Sequence, residues 1–150
     1  MNKFTNEVLK AAAETRCATS SLTVIESKKI LEDVRQKYSN GVKSDYFWES
    51  LKIRSSVQNK EAWTWIEEFV KSEQTFMLFI DKENDNGVLF EKGNCIVQTL
   101  WECTGFEFYL TNRLTSYLLC FNHHNFLIGS GSAQNWIENK KKQLQLPHSV

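Results

Sequence analysis

The sequence predicts an α+β domain in which N-terminal helices precede a small, mostly antiparallel sheet carrying one intervening and one C-terminal helix. Three observations lead there. One proline and six glycines among 150 residues are too few chain breakers for an all-β protein of many short strands. Helical periodicity dominates the first half of the chain. Short apolar runs bounded by polar turns dominate the second half, and helices segregated from consecutive strands indicate α+β. A chain of this length folds as one domain, residues 1–150, without disulfides or metal. Ten Phe, five Trp and four Tyr supply a core of large rings.

The elements follow in order. Residues 3–16, FTNEVLKAAAETR with its leading lysine, place Phe4, Val8 and Ala11 or Ala12 on one helical face, and alanine favours helix at low entropic cost. Residues 17–21 read as a polar connector. Thr23 and Glu26 have the spacing of a capping box. The helix they open carries Ile30, Leu31, Val34 and Tyr38 on its apolar side and stops at Asn40-Gly41. Asp45–Leu51 reads as a helical turn in preference to a short strand. Asn59 caps a helix whose stripe is Trp63, Ile66 and Val70, widened by Trp65 and Phe69.

Thr75–Asp81, TFMLFID, is a buried strand. Residues 82–87 form a polar loop, and Val88–Phe90 begins another strand. Asn94–Thr104 reads as a helix that ends at Gly105. Phe106–Thr111 and Tyr117–Asn122 are strands, and Phe126–Ile128 is a third. Ser132 caps a last helix anchored by Trp136 and Ile137. Residues 139–150 read as a frayed, mobile tail.

Charge and cysteine usage narrow the function classes. Lys plus Arg equals Asp plus Glu, eighteen each, so no global field draws in nucleic acid or an anionic membrane. The N-terminus lacks the apolar core of a signal peptide, and no run of about 18 apolar residues exists. Cys17, Cys95, Cys103 and Cys120 form no CxxC pair, which argues against a zinc finger. Together these predict a cytoplasmic protein with reduced thiols, no cofactor and no metal.

The pair His123-His124, between Asn122 and Asn125, is the clearest candidate for chemistry. In an extended strand, neighbouring side chains point to opposite faces. Two imidazoles so placed share no metal, and Cys120, about 10 Å from His123 along such a strand, forms no dyad with it. Asparagine suits a turn, because it tolerates positive φ and bonds its own backbone. A hairpin connection is therefore the preferred reading of this segment. Glu107, on the preceding strand, must face solvent, meet a cation such as Arg113, or meet a histidine, since a buried unpaired carboxylate is costly. His123, His124 and Glu107 are accordingly the residues of an alternative reading, a small hydrolase or nuclease.

Three other motifs read as structural. The loop Asp81–Gly87 has acidic residues at calcium-loop spacing, but its glycine falls at the seventh position and Lys92 replaces the bidentate glutamate. Gly129-Ser-Gly131 lacks the remaining features of a phosphate loop. Lys140–Lys142 suits a helix C-terminus.

The succession of apolar strand, Asp-rich turn, helix ending in glycine, FEFYLTN, and YLLCFNHHN with its Gly-containing turn spans about residues 63–137. It resembles small uncharacterised bacterial α+β families of the polymorphic-toxin immunity type. A general likeness to the knob-like immunity domains of the yeast cell-wall-regulator type lacks their proline-bearing entry motif. The resemblance implies a cytosolic domain that neutralises a toxin by occlusion, and it transfers no catalytic residue. The preferred expectation is thus a binding protein with a protein partner, an immunity protein or antitoxin. Tyr46, Trp48 and Trp65 exceed what one helical stripe needs and are candidate contact residues. Glu83 and Asp85 are candidates for meeting a basic toxin.

Overall fold

Helix α1 (Lys3–Glu14) leads into strand β1 (Thr19–Ser21) and helix α2 (Val24–Tyr38). A 3-10 turn (Phe47–Ser50) precedes β2 (Ser55–Gln58). A second 3-10 turn (Ala62–Trp65) runs into the short α3 (Ile66–Val70). Then come β3 (Thr75–Leu78), β4 (Val88–Phe90), α4 (Ile96–Trp101), β5 (Phe108–Thr111), β6 (Tyr117–Phe121), β7 (Phe126–Gly131) and α5 (Ala133–Gln145). This computed structural model describes residues 2–41, 45–82 and 84–145. The seven strands make one sheet in the order β1-β4-β3-β5-β6-β7-β2, and every pairing is antiparallel. The fold is α+β.

Side chains alternate across the sheet, and both faces are covered. Met77, Phe108, Leu110, Tyr117, Leu119 and Leu127 pack with Val8, Ile66, Ile96 and Ile137 of the helices on one face. Phe76, Leu78, Tyr109, Leu118, Cys120 and Ile128 pack with Val34 of α2, Phe47 of the first 3-10 turn and Leu51 just after it on the other. Burial of both faces explains why β3, β5 and β6 read as nearly continuous apolar runs and not as clean alternation.

The predicted capping box of α2 is present: Glu26 N–H donates to Thr23 Oγ1 at 3.1 Å, and Thr23 N–H donates to Glu26 Oε1 at 3.0 Å. Asp45–Leu51 contains the expected helical turn. Three readings change. The helix expected after an Asn59 cap is a 3-10 turn preceded by Glu61 and continued only by the short α3. Residues 19–21 and 55–58 are the two edge strands of the sheet, so the N-terminal half contributes strands as well as helices. The C-terminal helix continues through Gln145, so a tail beginning at residue 139 starts too early; residues 146–150 lie outside the described residues. Among the described residues no helix is long and apolar enough to cross a membrane.

Candidate functional site

The turn between β6 and β7 carries both histidines. Asn122, 2% exposed, organises it. Its Oδ1 accepts the backbone N–H groups of His124 and Phe126, each at 3.0 Å. Asn125 N–H donates to the Asn122 carbonyl at 3.0 Å, and Asn125 takes φ 63°, the left-handed conformation that asparagine tolerates. From β2, Gln58 Nε2 donates to the His124 carbonyl at 3.2 Å, and Asn59 N–H donates to the Asn125 carbonyl at 2.9 Å.

Because the chain turns here, the two imidazoles are not thrown to opposite faces. Their ring centroids lie 4.0 Å apart, which overturns the extended-strand geometry and retains the hairpin. The 3-10 segment on the α2 side of the sheet brings two more rings to them. Tyr46 lies 4.9 Å from His123, Trp48 lies 6.3 Å from His124 in an edge-to-face arrangement, and Tyr46 stacks on Trp48 at 5.6 Å. Tyr46 and both histidines are exposed, and Trp48 is half-buried.

Beneath the rings runs a line of polar groups. Glu107 Oε2 lies 2.9 Å from His123 Nδ1 and accepts the His123 backbone N–H at 3.2 Å. The register explains this meeting: Phe108 pairs with Phe121, so Glu107 falls beside the turn that follows. Against a carboxylate oxygen, Nδ1 carries the proton and donates; in the neutral ring the lone pair is then on Nε2. Glu107 thus meets a histidine and not Arg113, whose guanidinium lies over the Phe76 ring at 5.3 Å.

Asp81, just past β3, faces Glu107. Burial pushes its carboxyl above the usual range; hydrogen bonds from Phe47 N–H and Tyr109 work against this shift, and the Glu107 charge adds to it. Tyr109 Oη, nearly fully buried, donates to Asp81 Oδ2 at 2.9 Å and accepts Trp48 N–H at 3.2 Å. Phe47 N–H donates to Asp81 Oδ1 at 2.9 Å. Burial raises the Tyr109 hydroxyl, helped by nearby Cys120 and Asp81. The polar line therefore runs Tyr109, Asp81, Glu107, His123 from the interior to the surface.

Cys120 sits behind this line, fully buried, with its thiol pushed well up by that burial; it offers no thiolate to His123. Among the described residues no group of three or more His, Cys, Asp or Glu is placed to hold a metal ion.

Of the five candidate contact residues, Tyr46 and Trp48 join the histidines. Trp65 lies elsewhere, packed against the other core with the Lys140 ammonium 5.2 Å over its ring. Asp85 serves the fold: its carboxylate accepts the N–H groups of Phe4 at 3.0 Å and Thr5 at 2.8 Å, closing the first turn of α1. Both carboxylate oxygens are thus engaged within the fold. Glu83 lies outside the described residues. Asp81 and Tyr109 are the site members that sequence reasoning misses. The available signals were an acidic residue ending an apolar strand and a hydroxyl within another.

No protein-family model matches the chain, and neither a curated protein nor a solved structure is similar enough to it to count as a match.

Proposed function

We propose that this chain is a protein-binding domain of the immunity or antitoxin type, which covers a toxin domain with the face formed by Tyr46, Trp48, His123 and His124. The observation that carries this reading is the four-ring cluster itself. Tyrosine and tryptophan dominate binding hot spots, and here they stand exposed or half-exposed beside two imidazoles. The turn below them is held by backbone and Asn122 bonds, so little ordering entropy is lost when a partner docks. Equal numbers of cationic and anionic side chains make ring contact and local hydrogen bonding the basis of recognition.

Co-expression tests this. The chain is produced in cells together with the toxin domain encoded beside its gene, and survival is scored. The wild type protects. The double variant Tyr46→Ala, Trp48→Ala stays folded by circular dichroism and loses protection, since each hot-spot truncation costs about 2 kcal/mol. Failure of the wild type to protect, or full protection by the folded double variant, ends this reading.

One contact favours a second reading, a small hydrolase or nuclease. Glu107 on Nδ1 of His123 is the arrangement that orients an imidazole as a general base through Nε2. On that reading Glu107→Gln lowers turnover of a phosphodiester or ester substrate.

A further inference from the structure

Away from the histidine turn, a pair of thiols joins the end of α1 to the start of α4. Cys17 follows α1 and is buried; Cys95 immediately precedes α4 and is half-buried. Donors crowd the Cys17 sulfur. Gln98 Nε2 lies 2.9 Å from it and Thr15 Oγ1 lies 3.5 Å from it. The Thr99 hydroxyl donates to the Cys95 carbonyl at 2.9 Å. The same Gln98 amide reaches Cys95 Sγ at 3.9 Å, and the Cys17 thiol donates to the Cys95 carbonyl at 3.7 Å. Gln98 thus bridges the two sulfurs.

The pair is unequal. Burial works against ionisation of Cys17, yet the Cys95, Thr15, Thr99 and Gln98 bonds together hold its thiol below the ordinary value. Burial and the contact with Cys17 push Cys95 up to about 11. A cysteine sulfur approached by the Gln98 and Thr15 donors, with a second thiol on the same amide, has the arrangement of a reactive cysteine with a resolving partner.

We propose that Cys17 and Cys95 form a redox-active modification site for hydroperoxides, in which Cys17 is oxidised first and Cys95 resolves it to a disulfide. The Cys17 thiolate attacks the terminal oxygen of the hydroperoxide. An S–O bond forms, the O–O bond breaks, and the alkoxide leaves as an alcohol after taking a proton from water or solvent buffer. Cys17 becomes a sulfenic acid, oxidised by two electrons, and the peroxide is reduced by the same two. The Cys95 sulfur then attacks the Cys17 sulfur. The S–S bond forms, the S–O bond breaks, and hydroxide leaves with the Cys95 proton as water. Two thiols and one hydroperoxide thus become one disulfide, one alcohol and one water.

The test uses the full chain and hydrogen peroxide at one equivalent. Two of the four cysteine thiols disappear in thiol titration, the intact mass drops by two hydrogens, and proteolysis yields a linked peptide containing Cys17 and Cys95. In Cys95→Ser, a sulfenic acid accumulates on Cys17 and is trapped by dimedone. Gln98→Leu slows the first oxidation severalfold. Cys103 and Cys120 are internal controls, since burial pushes both thiols up. The proposal falls if four thiols persist, if the linked peptide joins other cysteines, or if dimedone labels Cys95, Cys103 or Cys120 before Cys17. The wild-type mass and peptide readouts hold even if a variant fails to fold, and none of them depends on the ring face that binds a partner.

Discussion

One carboxylate oxygen, Oε2 of Glu107, takes both the Nδ1 atom and the backbone N–H of His123, at 2.9 and 3.2 Å. It therefore fixes a side chain and the turn that carries it at once. Glu107 has an 11% exposed side chain, whereas that of His123 is 43% exposed. The anchor is nearly buried and the ring it holds is presented to solvent. That division suits a surface whose shape must exist before its partner arrives.

Glu107→Ala removes the anchor without touching the Asn122 bonds. The expected loss of stability is about 1 kcal/mol, the size of an ordinary net hydrogen-bond contribution. The more telling change is local. Nuclear Overhauser contacts between the His123 ring and the Tyr46 ring weaken or vanish, while those within β6 and β7 stay. An unchanged His123–Tyr46 contact in the variant shows that ring packing alone orders the site.

Asp85 supplies a contrast, because its carboxylate is spent inside the fold. Its two bonds to Phe4 and Thr5 N–H satisfy donors that the first turn of α1 leaves without intrahelical partners. Negative charge there also suits the helix dipole. Asp85→Ala lowers unfolding free energy by about 1–2 kcal/mol, read as a lower denaturant midpoint with unchanged slope, and leaves partner protection intact at permissive temperature. Loss of protection in a variant of full stability returns Asp85 to the binding surface.

The parts of the fold that can be read from sequence are those whose side chains carry the pattern. TFML, FYLT and YLLCF announce strands because both sheet faces are buried around them. The Thr23–Glu26 box announces α2 because capping is a local matter. Thr19–Ser21 and Ser55–Gln58 announce nothing, since short edge strands are held by backbone bonds to one neighbour and can be polar throughout. The site divides along the same line. The asparagines of the turn and the Glu107–His123 meeting follow from local chemistry and strand register. The approach of Tyr46 and Trp48 does not, because it depends on how a 3-10 turn some seventy residues upstream packs on the sheet. Asp81 hides at the end of an apolar run for the same reason.

Gly129 gives a packing test of the sheet's far side. A Cβ built there falls 2.6 Å from Ile137 Cδ1, 3.0 Å from Ala133 Cβ and 3.2 Å from the Ala133 carbonyl. Ile137 is the flexible end of a long side chain, but Ala133 is the first residue of α5 and its backbone yields little. Gly129→Ala therefore forces α5 away from β7 and costs about 1–3 kcal/mol, the usual range for overpacking. Chemical-shift changes should concentrate on α5, β2 and β7 and spare α2. A neutral or stabilising result means that α5 shifts without penalty and is loosely seated.

Asp81 yields a pH prediction with a definite sign. Burial, reinforced by Glu107, raises its folded pKa. In the window between the unfolded aspartate value and that higher folded value, the native state keeps a proton that the unfolded state has released. The native state then binds more protons, so this residue's contribution to stability falls as pH rises through the window. Glu26 and Glu138 act in the opposite sense, because hydrogen bonds lower their pKa values, but they are common to wild type and variant and cancel in the difference. Asp81→Asn keeps an acceptor for Phe47 N–H, removes the titration and removes the repulsion of Glu107. Denaturant midpoints measured from about pH 4 to pH 7 should show wild type losing stability relative to the variant as pH rises, with the difference levelling off once Asp81 is fully ionised. Parallel curves across that range mean that the Phe47 and Tyr109 hydrogen bonds offset the burial of the carboxylate in full.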